Sequence, residues 1–294
     1  METDAYRGRF APSPSGDLHM GSLIAALASY LDARANNGQW LLRMEDLDPP
    51  REEPGAARRI LSSLVDHGLR WDGDVLWQSQ RSQAYQQALD KLAGQDRLFR
   101  CDCTRSMLGP EGACAGRCLA RQTDITGPCS LRVQVPVDCH ITFSDGIQGK
   151  QSEALGQHFP DFILRRKDGL YAYQLAVVVD DAFQKVTHVL RGSDLLDSTG
   201  RQIYLQQLLE FDQPSYSHFP VITNTMGQKY SKQNRAPALL AADAPENLRR
   251  ALVFLRQPQI PKSLRSCSQI LAQAAENWSR DTIPKQMAVV AADP

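Results

Sequence analysis

The chain has no net charge and no long hydrophobic stretch. Its 33 lysines and arginines balance 33 aspartates and glutamates, which argues against a generic polyanion binder while leaving room for a local basic face. No apolar run approaches the length of a membrane-spanning helix, and the polar N-terminus lacks the pattern of a secretory signal. We therefore expect a cytoplasmic, monomeric protein that binds neither membranes nor DNA.

Internal repeats and low-complexity tracts are also missing. The length of 294 residues suits two domains, or one large domain with an insertion. Seven cysteines would be unusual for a secreted protein held by disulfides, and four of them have the spacing of metal ligands. The cysteine content therefore favours a metal site in a reducing compartment.

The most informative stretch is residues 9–22, Arg-Phe-Ala-Pro-Ser-Pro-Ser-Gly-Asp-Leu-His-Met-Gly-Ser. Its prolines predict an extended turn that leads into a His-x-Gly-Ser corner at residues 19–22, and an amphipathic run follows. A strand, a turn and a helix N-terminus together form an anion site, because free N–H groups and the helix dipole face the ligand. His19 could reach a phosphate there from the side. The corner alone would equally fit the first βα unit of any α/β domain.

Taken together, these fourteen residues resemble the opening motif of class I aminoacyl-tRNA synthetases. Within that class they are most similar to the glutamate-specific branch, which opens with Arg-Phe-Ala-Pro-Ser-Pro-Thr-Gly. The family signature usually ends in a second histidine where this chain has Ser22, whose hydroxyl can still donate to a phosphate oxygen. The resemblance implies a catalytic His19, an ATP site that includes Pro12, His19, Gly21 and Ser22, and glutamate contacts from Arg9, Ala11 and Ser13.

An acidic cluster follows the next predicted strand, at residues 40–44. The segment Arg-Met-Glu-Asp-Leu-Asp-Pro-Pro-Arg at 43–51 fits a solvated turn that ends in proline. It also resembles the family's Arg-Ile-Glu-Asp-Thr-Asp, in which the glutamate holds the ammonium group of the amino acid. The carboxyl ends of parallel strands are where ligands bind in open α/β sheets. The resemblance therefore gives Glu45 the ammonium-binding role, close to His19.

Four cysteines form two close pairs, Cys101-x-Cys103 and Cys114-x3-Cys118, separated by ten residues. Such pairs can close on one tetrahedral ion, and in a reducing cytosol four thiols favour zinc over disulfides. All-thiolate ligation leaves no open position, so this Zn²⁺ would be structural and would hold together an insertion that lacks a core. A coincidence of free cysteines is the alternative.

The short, tRNA-modifying relatives of glutamyl-tRNA synthetase carry zinc at this place, with a tyrosine where this chain has Cys114. The spacing of the remaining cysteines suggests no partner for any of them, and we interpret them as packing or surface residues: Cys129, Cys139 and Cys267.

Alternating segments at 131–135 and 141–143, with a turn at Asp145-Gly146, predict antiparallel strands. A strand from Asp161 enters a basic turn at 165–167, which fits either a solvated turn or a phosphate contact.

A continuous apolar run at 175–179 ends in Asp180 and Asp181. We expect a central parallel strand with its ligand-binding end at Asp180. The segment 173–181 resembles the family's Tyr-x-x-Ala-x-Val-Val-Asp-Asp, and 189–194 resembles Val-x-Arg-Gly-x-Asp. The resemblance makes Tyr173 and Arg191 contacts of the amino acid.

Arg9 and Arg191 are candidates for holding the carboxylates of glutamate, because a planar guanidinium suits a carboxylate bidentately. Such a pair would reject glutamine, because the N–H donors of its amide would face the N–H donors of the arginines.

A helix at 198–210 and a last strand at 218–222 are expected before a polar loop at 227–233. That loop resembles the second class I signature, Lys-x-Ser-Lys, which implies ATP contacts from Lys229, Ser231 and Lys232, with Lys232 catalytic.

The resemblance implies an α/β fold, with a Rossmann-like doubly wound parallel sheet, an inserted zinc-bearing α+β subdomain and a helical C-terminal tail. We expect the first half of the catalytic domain at 1–98, the insertion at 99–172, the second half at 173–235 and the tail at 236–294. That tail is expected to be too short for the anticodon-reading domains of a full glutamyl-tRNA synthetase.

The implied reaction begins when L-glutamate attacks ATP, with Mg²⁺ on the phosphates, to give glutamyl-adenylate and pyrophosphate. Short relatives with serine after His-x-Gly and with Cys-x-Cys transfer glutamate to the cyclopentenediol of queuosine in the anticodon of tRNA(Asp), and we prefer this acceptor. The alternatives are a truncated glutamyl-tRNA synthetase that charges the 3′ end of tRNA(Glu), a nucleotidyltransferase that acts without tRNA, and a silent tRNA-binding paralogue. The Tyr173 and Arg191 stretches argue against the second, and the intact set of site residues argues against the third.

Overall fold

The computed structural model describes residues 5–223 and 238–290. Its first part alternates strands and helices, listed here in chain order: β1 (Arg7–Phe10), α1 (Met20–Ala35), β2 (Gln39–Met44), α2 (Ala56–Asp66), β3 (Leu76–Trp77) and α3 (Ser82–Gly94). β2 runs parallel to both β1 and β3. Gly38 permits the tight return from α1 into β2, because a Cβ there would lie 2.5 Å from the carbonyl oxygen of Tyr6.

The middle part is antiparallel, as the alternation predicts. Its elements are β4 (Leu98–Cys101), β5 (Ser130–Gln134), β6 (Ile141–Asp145), β7 (Gly149–Glu153), α4 (Leu155–His158) and β8 (Asp161–Arg165). β5 pairs with β4 on one side and β8 on the other, and β6 and β7 form a hairpin. The hairpin turn begins at the expected Asp145-Gly146.

The last part returns to parallel pairing. It contains α5 (Tyr173–Phe183), β9 (His188–Gly192), α6 (Leu196–Leu209), β10 (Ser215–Phe219), β11 (Val221–Thr223), α7 (Ala244–Phe254), α8 (Cys267–Glu276) and β12 (Ala288–Val290). β9 pairs with β10, and β11 pairs with β12. Thr187 donates its backbone N–H to the carbonyl of Arg7 at 3.0 Å, which places the start of β9 beside β1.

Two predicted strands are wrong. The last strand expected at 218–222 is divided at Pro220 between the end of β10 and the start of β11, and β12 follows later in the chain. The apolar run at 175–179 lies in helix α5, not in a central strand. The helix is buried from Gln174 to Asp181, so it needs apolar side chains on every face. A short continuous apolar run does not distinguish a buried strand from a buried helix. Asp180 consequently accepts hydrogen bonds from Tyr85 of α3 and from Gln78 and Arg81, which precede that helix.

The parallel sheet is covered on both faces. Adjacent β9 residues Val189 and Leu190 belong to different hydrophobic cores, because side chains alternate across a strand. Leu190 packs in the core around α1, α7 and α8, whereas Val189 packs in the core around α3, α5 and α6. The second core also includes β5, β6 and β8, and we retain the boundaries of the inserted segment, 99–172, as a proposal. Along the described residues, no helix combines the length and apolarity that crossing a bilayer requires.

Candidate active site

Two arginines converge on one carboxylate beside the carboxyl ends of β1 and β2. Arg9 donates from Nε and Nη2 to the two carboxylate oxygens of Asp181, at 3.2 and 3.5 Å. Arg43 is fully buried and donates from Nη1 to Oδ1 of the same Asp181 at 2.7 Å. Burial would raise the pKa of Asp181, but the charges and hydrogen bonds of Arg43 and Arg9 hold it below its usual value. Asp181 therefore stays ionised and orients both guanidinium groups.

Glu45 lies one residue beyond β2 and faces the same cluster. Its backbone N–H donates to the carbonyl of Pro12 at 2.9 Å, which fixes the loop after β1 against the end of β2. Burial raises the pKa of Glu45, although the nearby Arg43 and Arg9 oppose that effect. A poorly solvated carboxylate of this kind is stabilised by a cation, and the ammonium group of an amino acid would supply one.

Tyr173 and Arg191 meet on the other side of the cluster. Tyr173 is the first residue of α5, and Arg191 of β9 donates from Nη1 to its hydroxyl at 3.4 Å. Burial raises the pKa of Tyr173, so its hydroxyl remains protonated. The predicted glutamate contacts Arg9, Glu45, Tyr173 and Arg191 are thus brought together by the fold.

A cleft of about 650 Å³ opens beside this cluster. Its walls include Ser13, Glu45 and Tyr173, which are predicted glutamate contacts, and continue to Arg166. Arg166 donates to Asp48 at 3.1 Å and thereby connects the basic turn after β8 to the acidic loop after β2. The cleft is large enough for an amino acid and part of a second substrate.

A larger cleft of about 1100 Å³ lies elsewhere, and its walls include Arg7, His188 and Ser215. These residues begin β1, β9 and β10. Among the residues that the structure describes, none of the predicted site residues lines it, although Asp181 does. Because open α/β sheets bind ligands at the carboxyl ends of their strands, we place the active site in the smaller cleft.

The His-x-Gly-Ser corner forms the beginning of α1, as predicted. His19 is the N-cap residue, and its Nδ1 accepts the backbone N–H of Ser22 at 3.4 Å. Its Nε2 lies 3.1 Å from the hydroxyl of the same serine. Gly21 and Ser22 occupy the first turn, which contains no acidic side chain, so the positive end of the helix dipole is available to an anion. The second signature, with Lys229, Ser231 and Lys232, lies outside the described residues.

The four predicted metal ligands converge. The Sγ atoms of Cys101, Cys103, Cys114 and Cys118 all lie within 4.8 Å of one another. The Cys103 sulfur is 3.5 Å from that of Cys118 and 3.9 Å from that of Cys114. A tetrahedral zinc with Zn–S bonds of about 2.3 Å has sulfur–sulfur separations of about 3.8 Å, so the donor set fits the ion. These residues also form most of a small core of their own, together with Phe99 and Ile125.

A buried aspartate that sequence reasoning missed shapes this cysteine loop. Asp161 accepts the backbone N–H groups of Cys114 and Ala115 at 3.0 and 2.8 Å, and Arg132 pairs with it. These hydrogen bonds link Asp161, the first residue of β8, to a loop that lies almost fifty residues earlier in the chain. Its one sequence signal is an acidic residue at the beginning of an otherwise apolar strand.

Arg43 and Asp181 also belong to the cluster, and the motif analysis did not single them out. Both are charged residues in otherwise apolar segments, and a buried charge needs a partner. That pattern identifies each residue as unusual but does not pair them, because 138 residues separate them in the chain.

Comparisons with known proteins identify the family of the chain. Residues 5–255 match the family model described as tRNA synthetases class I (E and Q), catalytic domain. A protein from Pseudomonas entomophila (strain L48), named Glutamyl-Q tRNA(Asp) synthetase, is 50% identical over 100% of this chain and 99% of its own length. A relative of the same name from Thiobacillus denitrificans is 50% identical over 97% of each chain.

Solved structures show the same fold at lower identity. The glutamate-tRNA synthetase of Elizabethkingia anophelis aligns with a TM-score of 0.82 at 22% identity, over 98% of this chain and 68% of that one. A glutamate tRNA ligase from Elizabethkingia meningosepticum, in complex with its amino acid, aligns with a TM-score of 0.81 at 22% identity, over 97% of this chain and 67% of that one. These two matches support the class I synthetase fold with its parallel sheet. The chain therefore belongs to the class I tRNA synthetases of the glutamate and glutamine branch, and within that branch to the ligase family of the glutamyl-Q tRNA(Asp) synthetases.

Proposed function

We propose that the protein activates L-glutamate with ATP and transfers the glutamyl group to the cyclopentenediol of queuosine in the anticodon of tRNA(Asp). The name of its relatives supports this acceptor, because those proteins align with the chain over almost the full length of both. The alternative acceptor is the 3′ end of tRNA(Glu), which is favoured by the shared fold of the glutamate-tRNA synthetases.

One observation carries the choice of glutamate: two buried arginines lie close to Glu45 and Tyr173, which line the cleft. Arg9 and Arg191 are each only 5% exposed and offer N–H donors, which suit carboxylate oxygens. Glu45 offers an acceptor for the ammonium group. An amino acid with a second carboxylate would satisfy all three groups, whereas glutamine would direct its amide N–H donors at an arginine.

The ATP phosphates would lie at the start of α1, against His19, Gly21 and Ser22. An oxygen of the glutamate α-carboxylate attacks the α-phosphorus, the bond from that phosphorus to the bridging oxygen breaks, and pyrophosphate leaves with its electron pair. Mg²⁺, when bound with ATP, neutralises phosphate charge. His19 and Lys232 stabilise the charge that develops during this step.

The cysteine cluster would hold one structural Zn²⁺. Four thiolates complete a tetrahedron, so no position remains for a substrate. The ion would bind together a loop whose own core is small, while Asp161 fixes its backbone from outside. We assign it to the proposed inserted subdomain at 99–172.

Replacing His19 tests the activation step. His19→Ala should slow glutamate-dependent exchange of pyrophosphate into ATP about a hundredfold, the usual scale for losing one preorganised donor to a transition state. His140→Ala is the matched control, because His140 is exposed and lies outside the cleft. Exchange near the parent rate in His19→Ala would contradict the assigned role.

Transfer of labelled glutamate tests the acceptor. We expect labelling of tRNA(Asp) that contains queuosine, and none of tRNA(Asp) that lacks it or of tRNA(Glu). Labelling of tRNA(Glu) with none of queuosine-containing tRNA(Asp) would establish the alternative.

A further inference from the structure

A buried chain of hydrogen bonds leads from the β6–β7 hairpin to Arg191. Asp145 ends β6, and its Oδ2 lies 2.6 Å from Nδ1 of His218 in β10. Nε2 of His218 lies 2.9 Å from Nε of Arg191. The side chains of Asp145 and His218 have no solvent exposure, so solvent cannot substitute for either partner.

The fold brings these three residues together at two places. His218 and Arg191 are register partners in the parallel pair β9 and β10, so their side chains project from the same face of the sheet. Gly146 allows the hairpin to approach β10, because a Cβ there would lie 2.3 Å from the hydroxyl oxygen of Ser217. The backbone N–H of Gly146 donates to the carbonyl of Tyr216 at 2.9 Å.

The carboxylate of Asp145 determines where the proton of His218 lies. Its Oδ1 accepts three backbone N–H groups, those of Ile147, Gln148 and His218, so Asp145 acts as an anion and an acceptor. Burial would raise its pKa, but the hydrogen bond from His218 and those from the backbone hold it below the usual value. Nδ1 of His218 must then carry the proton, which leaves a lone pair on Nε2.

That lone pair accepts the Nε–H of Arg191. The opposite tautomer, or an imidazolium, would set an N–H donor against the Nε–H donor of arginine. Burial lowers the pKa of His218, and the charge of Arg191 adds to this effect while Asp145 opposes it. His218 is therefore neutral at neutral pH, as the hydrogen bond requires.

The remaining contacts leave one edge of the guanidinium facing Tyr173. Nη2 of Arg191 donates to Thr199 Oγ1 at 2.9 Å and to the carbonyl of Leu195 at 3.3 Å. Nη1 has the long, 3.4 Å contact with Tyr173, which lines the cleft. With Nε held by His218, an incoming carboxylate meets Nη1.

We propose that Asp145 and His218 are positioning residues for glutamate activation. Asp145 holds His218 in the Nδ1–H tautomer, and His218 fixes the guanidinium of Arg191 in the orientation that receives a carboxylate of the amino acid. The inference rests on the proposed function, in which Arg191 binds glutamate. Neither residue touches the substrate.

Asp145→Asn changes the hydrogen bonding of His218 while nearly preserving the packing of the side chain at position 145. The amide keeps the size of the side chain and an oxygen for the backbone N–H groups, but it presents N–H donors to Nδ1 of His218. The histidine should therefore switch to the Nε2–H tautomer and release Arg191. In protein labelled with ¹⁵N-histidine, the ring signals of His218 should show this switch. The KM for glutamate in ATP–pyrophosphate exchange should rise about tenfold, the scale of one hydrogen bond to a charged group, while the KM for ATP stays unchanged.

Two substitutions of the histidine provide a rescue test. The amide of His218→Gln can donate to Asp145 and accept from Arg191, as the neutral ring does, whereas His218→Phe can do neither. The KM for glutamate should rise strongly in the phenylalanine variant and much less in the glutamine variant. Asp32→Asn is the matched control, because Asp32 is equally buried but bonds to Tyr6 and Trp278 outside the cleft.

Thermal melting identifies folded variants before kinetics are compared, and the glutamine variant keeps the comparison available if Asp145→Asn does not fold. The proposal is overturned if His218 keeps the Nδ1–H tautomer of the parent protein in folded Asp145→Asn. It is also overturned if that variant has an unchanged KM for glutamate, or equal increases in the KM for glutamate and for ATP. It is also overturned if the two His218 variants behave alike. Absence of glutamate-dependent exchange in the parent protein would instead refute the proposed function, and the tautomer measurement, which needs no substrate, distinguishes the two failures.

Discussion

Two carboxylates near the cleft have their pKa values moved in opposite directions. Asp181 stays ionised, because the charges of Arg43 and Arg9 outweigh its burial. Burial dominates at Glu45, whose pKa is raised. Two carboxyl groups whose surroundings shift their pKa values in opposite directions are typical of sites in which each carboxylate has a different role. Asp181 orients the arginines, and in the proposed function Glu45 binds the ammonium group of the substrate.

The raised pKa of Glu45 predicts a pH dependence of glutamate binding. A protonated Glu45 cannot attract an ammonium group, so the Kd for glutamate should rise as the pH falls through the pKa of Glu45. Because burial raises that pKa, this loss should begin at a higher pH than an ordinary glutamate, at about 4.3, would give. Calorimetry at a series of pH values measures this Kd.

Glutamate binding by Glu45→Gln should be compared with binding by the parent protein over the same pH range. At pH 7 the variant should bind glutamate about ten to a hundred times more weakly, because a charge-assisted hydrogen bond is lost, and the acid-side loss should disappear. Parallel pH profiles in the parent and the variant would contradict the role of Glu45.

At the scale of elements, the segments after the first motif were predictable and helix α5 was not. The amphipathic run that follows the His-x-Gly-Ser corner forms α1, and the predicted strand at 40–44 agrees with β2 to within one residue. Helix α5 has no polar face to reveal its period, and the sequence therefore predicted a strand there. The acids near its end pair with residues of other elements: Asp180 with Arg81, and Asp181 with Arg9 and Arg43.

The cysteine loop predicts a metal requirement at this scale. The purified protein should contain one zinc per chain, and Cys101→Ser should lose it. Hydrogen exchange should then accelerate within 101–118 while α1 stays protected, because the ion holds together a loop with a small core of its own. Cys267→Ser is the matched control, since Cys267 lies in α8. Elemental analysis without zinc, in protein prepared without chelator, would contradict the assignment.

For the whole molecule, sequence motifs predicted residues that the fold brings close together but not the contacts that orient them. The predicted set included Arg9, Glu45, Tyr173 and Arg191, each carried by a local pattern. The partners Asp181, His218 and Asp145 lie 27 to 172 residues away from the arginines that they orient. Such pairings depend on which strands lie side by side, and a single sequence does not state that arrangement.

The hydroxyl of the tRNA that receives glutamate distinguishes the two candidate acceptors. Queuosine and the terminal ribose both present vicinal hydroxyls, so the same adenylate could acylate either. The decisive measurement uses labelled glutamate and queuosine-containing tRNA(Asp) whose 3′-terminal nucleotide has been removed, with and without periodate, which cleaves vicinal diols. We predict full labelling after removal of the terminal nucleotide and none after periodate. Labelling that disappears when the terminal nucleotide is removed would contradict the account and show that the protein charges tRNA ends.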